Sequence, residues 1–216
     1  MEQLKFLIDL FLHLDTYLAN IIGQYGTWTY AMLFFVIFME TGFVVTPFLP
    51  GDSLLFAAGT FAALGSMNLY ILLGLLMFAA ILGDTVNYSI GYYLGARAYN
   101  IKWLKKEYFD KTHAFFEKHG GKTIFLARFV PIVRTFAPFV AGIGKMSYTY
   151  FITYNFVGGI VWVLLFTLAG FFFGNIPIVR KNFEFVIIGI ILISVIPMAI
   201  EWWKARRESN AEAAKA

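Results

Sequence analysis

Cysteine is absent from this sequence, and charged residues are scarce. Asp, Glu, Lys and Arg together make up 14% of the 216 residues, whereas about a quarter of an average soluble domain is charged. Without cysteine the chain has no disulfide, no thiolate metal ligand and no cysteine nucleophile. Its histidines, His13, His113 and His119, do not have the spacing of metal ligands. The sequence therefore predicts no metal site and no cofactor.

Basic residues are missing from the long stretch between Phe6 and Ala96, which contains no lysine or arginine. Hydrophobic residues make up 60% of the chain, and its mean hydropathy is +0.72. Apolar runs suited to membrane-embedded helices occur at residues 28–39, 69–82, 156–173 and 183–200. This composition excludes a soluble globular domain and predicts an integral protein that crosses a membrane several times. Because the N-terminus lacks a basic region and a cleavage site, we expect no cleaved signal peptide.

The net charge of +4 does not indicate a nucleic-acid partner, because the basic residues lie just outside the apolar runs. In that position they act as orientation signals and contact lipid headgroups. The lysine-rich residues 99–122 and the basic cluster after residue 203 are therefore expected to face the cytoplasm. Counting crossings from there predicts cytoplasmic N- and C-termini, with residues 46–68 on the far side. Arg180 and Lys181 fall on the far side as well and count against this orientation.

The hydropathy pattern predicts an all-α integral membrane fold, a polytopic helical bundle. Residues 1–24 are expected to form an amphipathic N-terminal helix, and residues 99–122 a central amphipathic helix at the membrane interface. Residues 25–208 are expected to form one membrane-embedded domain, followed by a disordered tail at 209–216. Spanning helices are predicted at about 28–45, 69–98, 148–173 and 183–203.

Two further apolar segments are too short, or too broken by proline, to cross as regular helices. The first, residues 46–65, contains Pro47 and Pro50, and the second, residues 123–143, contains Pro131 and Pro138. Both are predicted to be re-entrant hairpins, which must be buried in protein or line a wet cavity. In the orientation above they enter from opposite sides. That arrangement is typical of inverted-repeat transporters, whose binding site lies near the bilayer midplane.

Charged side chains inside the apolar segments are the strongest functional signal. A charge near the bilayer centre costs about 2.5–3.5 kcal/mol on insertion scales, so it is rarely present without a role. Glu40, Asp52 and Asp84 have no cation near them in sequence, and Arg128 and Arg134 have no nearby anion. We therefore expect the two halves of the chain to meet so that these charges share one polar cavity.

The types of these residues suggest distinct roles. The two arginines are candidates for binding an anionic headgroup, because a guanidinium matches phosphate and a broken helix leaves free amides beside it. Ser53 and Thr135 are candidates for the same site, although capping of the broken helices explains them as well. Glu40 and Asp52, held close together away from water, are candidates for carrying a proton. The alternative is that the buried arginine–carboxylate pairs only hold the two halves together.

The segment 69–98 carries small and polar residues at intervals of three and four. Asp84 and Asn87 form a secondary polar site in this stripe, and a hydrogen bond between packed helices explains them equally well. Gly83, Gly91 and Gly95 are better explained by close helix packing than by a binding site.

Several motifs along the chain carry a family resemblance. They are Glu40-Thr-Gly, Phe48-Leu-Pro-Gly-Asp52, Gly83-Asp-x-x-Asn-Tyr-x-x-Gly91, the run from His119 to Pro138, Ala141-Gly142 and Tyr154-Asn155. Together they resemble the DedA family of bacterial inner-membrane proteins, whose re-entrant core is also called the VTT or SNARE-associated domain. The resemblance extends over nearly the whole chain and adds Asn155 to the secondary polar site.

The resemblance implies a function in lipid transport. Members of this family are implicated in recycling polyprenyl phosphate carriers, chiefly undecaprenyl phosphate, across the cytoplasmic membrane. The family's membrane-embedded acids and arginines match Glu40, Asp52, Arg128 and Arg134, for which proton-coupled transport has been proposed. We therefore expect a multi-pass flippase of the bacterial inner membrane whose partners are the bilayer and an anionic lipid. A phosphatidylethanolamine-type flippase or scramblase and a proton-dependent antiporter are the alternatives within transport.

Two other classes of function are weighed against transport. A lipid phosphatase needs a nucleophilic histidine with supporting arginine and serine motifs, and the three histidines lie in interfacial or polar segments without them. The sequence therefore predicts a protein that is not an enzyme and has no catalytic residues. A structural or chaperone-like membrane protein is the other class, and it would tolerate Arg128→Lys.

Overall fold

The structure is a computed structural model that describes residues 14–43, 51–98, 120–129, 131–174, 176, 177, 179, 185, 186 and 189. Within these residues the regular secondary structure is entirely helical, as the sequence predicts. The helices are α1 (Leu14–Tyr25), α2 (Trp28–Gly42), α3 (Gly51–Ala63), α4 (Leu69–Ala98), α5 (Lys122–Ala127), α6 (Pro131–Ile143) and α7 (Tyr148–Phe173).

Two of these helices are long and apolar enough to cross a membrane. They are the Leu69–Gly95 part of α4, with 27 residues and a mean hydropathy of 2.1, and α7, with 26 residues and a mean hydropathy of 2.3. At 1.5 Å per residue, α7 is about 39 Å long, which exceeds a hydrocarbon core of about 30 Å. Large apolar side chains such as Phe78, Leu165 and Phe172 are exposed on these two helices, as expected of a surface that faces lipid.

The first broken segment is represented by the short helix α3. Helix α2 ends at Gly42, and the next described residue after the extended Phe43 is Gly51, so the two prolines before it lie outside the described residues. With 13 residues, α3 is about 20 Å long and too short to cross a bilayer. It packs lengthwise against α7, where the Thr60 hydroxyl donates to the Gly170 carbonyl at 3.2 Å. That the segment is re-entrant stays a prediction.

The second broken segment consists of two helices rather than one. Helix α5 ends at Ala127, and α6 begins with Pro131 at its first position, where the missing amide hydrogen is not needed. Pro138 lies inside α6 without ending it. The break places Arg128 at the end of α5 and Arg134 one turn into α6.

Glycines allow α4 to lie very close to its neighbours α2 and α6. A Cβ added at Gly91 would overlap the Phe139 carbonyl, and one added at Gly83 would overlap the Thr41 hydroxyl. Backbone contact at these points leaves no room for a side chain, which confirms the packing explanation for the glycine stripe. The close approach also brings the middle of α4 to the polar groups of α2 and α6.

Several predicted segments lie partly or wholly outside the described residues. The N-terminal amphipathic helix is described only from Leu14. The interfacial helix predicted for residues 99–122 is described only from residue 120, and the spanning helix predicted for 183–203 only at three residues. The predicted tail at 209–216 lies outside altogether.

Candidate functional site

The site begins with Arg134, whose side chain is buried between α2 and α3. Its Nη2 donates to Oε1 of Glu40 in the last turn of α2, and its Nη1 donates to Oδ1 of Asp52 in α3 at 3.0 Å. We call these three residues the Arg134 cluster. One arginine from the second half of the chain thus joins two acids from the first half.

The two acids of this cluster differ in exposure and in their second partners. Glu40 is completely buried, and its Oε1 also accepts the backbone N–H of Gly51 at 3.2 Å. A Cβ at Gly51 would overlap this carboxylate, so a side chain there would force the Glu40 carboxylate to move. The Asp52 side chain keeps 13% of its surface exposed. Of the two acids, Asp52 is therefore the more accessible from the surroundings.

Arg128 forms a second cluster with residues of α4 and α7. Its Nη2 donates to Oδ2 of Asp84 and to Oδ1 of Asn155, the latter at 2.5 Å. The Asn155 amide in turn donates to the Ile81 carbonyl at 3.0 Å, which fixes its orientation. Gly158 lies against the Arg128 side chain, since a Cβ added at this glycine would be 3.3 Å from the Arg128 Nε. We call Arg128, Asp84 and Asn155 the Arg128 cluster.

Trp162 of α7 lies between the two clusters. Its Nε1 donates to the Asp52 Oδ1 at 2.8 Å, and its ring lies beneath both guanidinium groups. The ring centroid is 4.6 Å from the Cζ of Arg134 and 5.9 Å from that of Arg128. Both guanidinium groups are therefore within cation–π distance of the same aromatic ring.

Trp162 is not among the predicted site residues, because a tryptophan in an apolar helix usually lies in the core or faces lipid. Helical spacing offered a signal, since Trp162 lies seven residues after Asn155 on the same face of α7, with Gly158 between them. A buried indole also needs an acceptor for its N–H, and α7 is too apolar to supply one readily.

The other predicted site residues occupy supporting positions. The Asn87 amide donates to the backbone carbonyls of Thr41 at 3.1 Å and Thr135 at 2.7 Å, so it ties α4 to α2 and α6. The side chain of Thr135 is completely buried in α6. Ser53 is buried in the first turn of α3, and its hydroxyl has no hydrogen-bond partner among the described residues.

The expectation that these charges share one polar cavity stays a prediction. Each arginine contacts at least one acid directly, and both guanidinium groups lie close to the Trp162 ring. Direct contact is what a buried charge requires, because its desolvation is offset only by a close partner. Asp84 is consequently an ion-pair partner of Arg128, whereas Asn87 makes the helix-packing hydrogen bonds.

Both clusters retain buried polar atoms that no described residue satisfies. They are the Nε of Arg134, the Nε and Nη1 of Arg128, the Oε2 of Glu40 and the Oδ1 of Asp84. Buried polar groups in native proteins are nearly always hydrogen-bonded, because an unmade bond costs about 1–3 kcal/mol. The arginines therefore keep donor groups that can serve a further anionic ligand.

Comparison with known proteins gives extensive matches. The VTT domain matches residues 49–172. The chain is 54% identical to Protein DedA of Escherichia coli (strain K12) over 220 residues, which is 100% of both chains. It is 42% identical to an uncharacterized membrane protein of Mycobacterium leprae (strain TN), covering 88% of this chain and 87% of that one. It is 36% identical to the inner membrane protein YqjA of Escherichia coli (strain K12), covering 70% of each. No solved structure matches the chain.

The names of these three relatives state neither a substrate nor a reaction. Two of them are named as membrane proteins, which agrees with the two helices long enough to cross a bilayer. The matched domain contains both arginines of the site together with Asp52, Asp84 and Trp162. The domain match and the identity over the full length show that this chain belongs to the DedA family of membrane proteins, whose core is the VTT domain.

Proposed function

We propose that this protein is a flippase of the bacterial inner membrane that moves a polyprenyl phosphate between the two leaflets. Undecaprenyl phosphate is the expected substrate, returned for reuse as a carrier, and proton movement is coupled to its transport. The observation that carries the proposal is the Arg134 cluster. There a buried guanidinium is shared by two carboxylates, and its Nε has no partner among the described residues.

A phosphate headgroup is the ligand that these arginines suit best. Guanidinium groups bind phosphate oxygens through paired N–H donors, and the bonds strengthen away from water. Arg134 and Arg128 are proposed to bind the headgroup, with Ser53 and Thr135 beside them. The apolar tail stays in the bilayer, so the protein needs to lower the barrier for the headgroup alone.

Proton coupling follows from competition for Arg134. While Glu40 and Asp52 are charged, they occupy the guanidinium donors that a phosphate needs. Protonation removes their charge, weakens both ion pairs and releases Arg134 to the headgroup. Deprotonation then restores the ion pairs and displaces the phosphate. Asp52 is proposed to exchange its proton first, because its side chain is partly exposed while Glu40 is fully buried.

The membrane arrangement belongs to the same proposal. Residues 25–208 form one domain, in which residues 46–65 and 123–143 enter as hairpins from opposite sides and both termini are cytoplasmic. The contact between Arg134 of the second segment and Asp52 of the first supports a meeting of the two segments inside the membrane.

Transport in reconstituted vesicles tests the proposal. Purified protein in proteoliposomes is expected to move fluorescent polyprenyl phosphate between leaflets, measured by the fraction that an external quencher reaches. Arg134→Ala should abolish this movement. Lys122→Gln is the matched control, because it also removes one positive charge but at an exposed position. Equal movement by wild type and Arg134→Ala would remove the basis of the proposal.

A phospholipid such as phosphatidylethanolamine is the second candidate substrate. Its headgroup carries a phosphate and an amine, and the Arg134 cluster presents a guanidinium beside two carboxylates. The same vesicles loaded with labelled phosphatidylethanolamine distinguish the two lipids. A proton-dependent antiporter would instead dissipate a pH gradient on addition of a cation without moving either lipid.

A further inference from the structure

Trp162 is fully buried, and it contacts Asp52 and both guanidinium groups of the site. The Asp52 Oδ1 accepts two hydrogen bonds, one from the Arg134 Nη1 at 3.0 Å and one from the Trp162 Nε1 at 2.8 Å. The indole N–H can only donate, and it carries no charge, so a phosphate does not compete with Asp52 for it as strongly as for a guanidinium.

Each acid of the Arg134 cluster thus has a second donor besides the arginine. For Glu40 the second donor is the Gly51 amide at 3.2 Å, and for Asp52 it is the Trp162 indole. A buried carboxyl group, whether charged or protonated, is destabilised when its polar atoms lose their only partner. A second donor reduces this penalty when the guanidinium turns to another anion.

We propose that Trp162 is a positioning residue of the lipid-phosphate site, which holds the Asp52 carboxyl group while Arg134 transfers from it to the phosphate headgroup. The aromatic face supports the same exchange, because it lies 4.6 Å from the Arg134 Cζ and keeps the guanidinium in place as its partners change. This inference rests on the proposed function, since it concerns the same headgroup.

Binding of farnesyl phosphate to the full-length protein in phosphatidylcholine nanodiscs tests the role of the indole N–H. Trp162→Phe keeps a ring beneath the guanidinium groups but removes the N–H. We expect it to weaken binding by about tenfold, which is the effect of losing about 1.4 kcal/mol. Trp162→Leu, which loses the ring as well, should weaken binding further. Trp28→Phe is the matched control, because Trp28 is exposed on α2.

A double-mutant cycle separates positioning from packing. If Trp162 acts through Asp52, Trp162→Phe should change the affinity less than about twofold in an Asp52→Ala background, because coupled residues are not additive. The same tenfold loss from Trp162→Phe in both backgrounds would show that Trp162 only fills space. If Trp162→Phe binds farnesyl phosphate with the same affinity as Trp28→Phe, the indole N–H has no role in binding. Either result overturns the inference and leaves the proposed function standing.

Two further outcomes complete the test. If wild type and Arg134→Ala bind farnesyl phosphate equally, the proposed function fails, and the inference fails with it. If Trp162→Phe does not fold, the indole N–H resonance of Trp162 in ¹⁵N-labelled wild-type protein is compared with that in Asp52→Ala. The hydrogen bond predicts a clear shift on loss of the carboxylate, and an unmoved resonance overturns the inference.

Discussion

The Arg134 guanidinium forms a buried ion pair with the Glu40 carboxylate, 94 residues earlier in the chain. The acid lies in the last turn of α2, and the arginine lies one turn after the break between α5 and α6. Since neither side chain reaches solvent, Glu40 depends on Arg134 for compensation of its charge, and Arg134 depends on Glu40 together with Asp52. The two halves of the protein are therefore joined by a contact that is costly to break.

Replacement of Arg134 by lysine separates a structural role from headgroup binding. An ammonium group keeps the positive charge, but it lacks the planar fork that serves Glu40 and Asp52 together. We expect Arg134→Lys to retain most of the thermal stability and to lose most of the transport. Arg134→Ala should lose both, since removing one partner of a buried pair costs about 3–5 kcal/mol. Melting temperatures in detergent and lipid movement in vesicles provide the two measurements. Full transport by Arg134→Lys would favour a purely structural pair.

The pair of Arg128 and Asp84 is expected to behave as an energetic unit. Asp84→Asn leaves the arginine without its acid, and Arg128→Gln leaves the acid without its arginine, so each should destabilise by about 3–5 kcal/mol. The double variant removes both charges and should be more stable than either single one. Chemical denaturation in detergent gives the coupling free energy. Additive effects of the two substitutions would show that the contact between Arg128 and Asp84 does not contribute to stability. Asn87→Ala is a nearby control that removes no charge.

Gly51→Ala tests the contact between the start of α3 and the Glu40 carboxylate. The added methyl group overlaps that carboxylate, so we expect a loss of about 1–3 kcal/mol and impaired transport. Gly74→Ala is the matched control, because nothing lies within 4 Å of a Cβ added there in α4. The control should be neutral or slightly stabilising, by up to about 1 kcal/mol, since alanine favours the helix. Equal melting temperatures for the two variants would contradict the geometry at Gly51.

The meeting of buried acids and bases was predictable from the sequence, because charges without local partners in apolar segments need partners from elsewhere in the fold. Their allocation was not predictable. The pairing of Arg134 with Glu40, and of Arg128 with Asp84, depends on how α2 and α4 lie against the second broken segment. Hydropathy marks helices but does not specify which of them are neighbours.

The break between α5 and α6 shows a similar limit. The prolines of residues 123–143 predicted an interruption, and the structure places it at Arg128 while Pro138 remains inside a helix. A proline at the first helical position costs nothing, whereas the effect of an internal one depends on its packing. Trp162 was not predicted as a site residue, because it joins the site only through the contacts that α7 makes with α3 and α6.

The pH dependence of headgroup binding tests the competition for Arg134. In the wild type, binding should strengthen as the pH falls, because protonation of Glu40 and Asp52 removes their claim on the guanidinium. Glu40→Gln carries a permanently uncharged group of the same shape. We therefore expect it to bind farnesyl phosphate at pH 8 more tightly than the wild type does, and to respond less to acidification. Titration of the phosphate itself affects both proteins alike, so the difference between their pH profiles isolates the effect of the Glu40 carboxyl group. Parallel pH profiles for the two proteins would show that Glu40 does not compete with the phosphate.

Transport by Glu40→Gln should no longer follow an imposed proton gradient. Tight binding without a deprotonation step leaves nothing to displace the lipid.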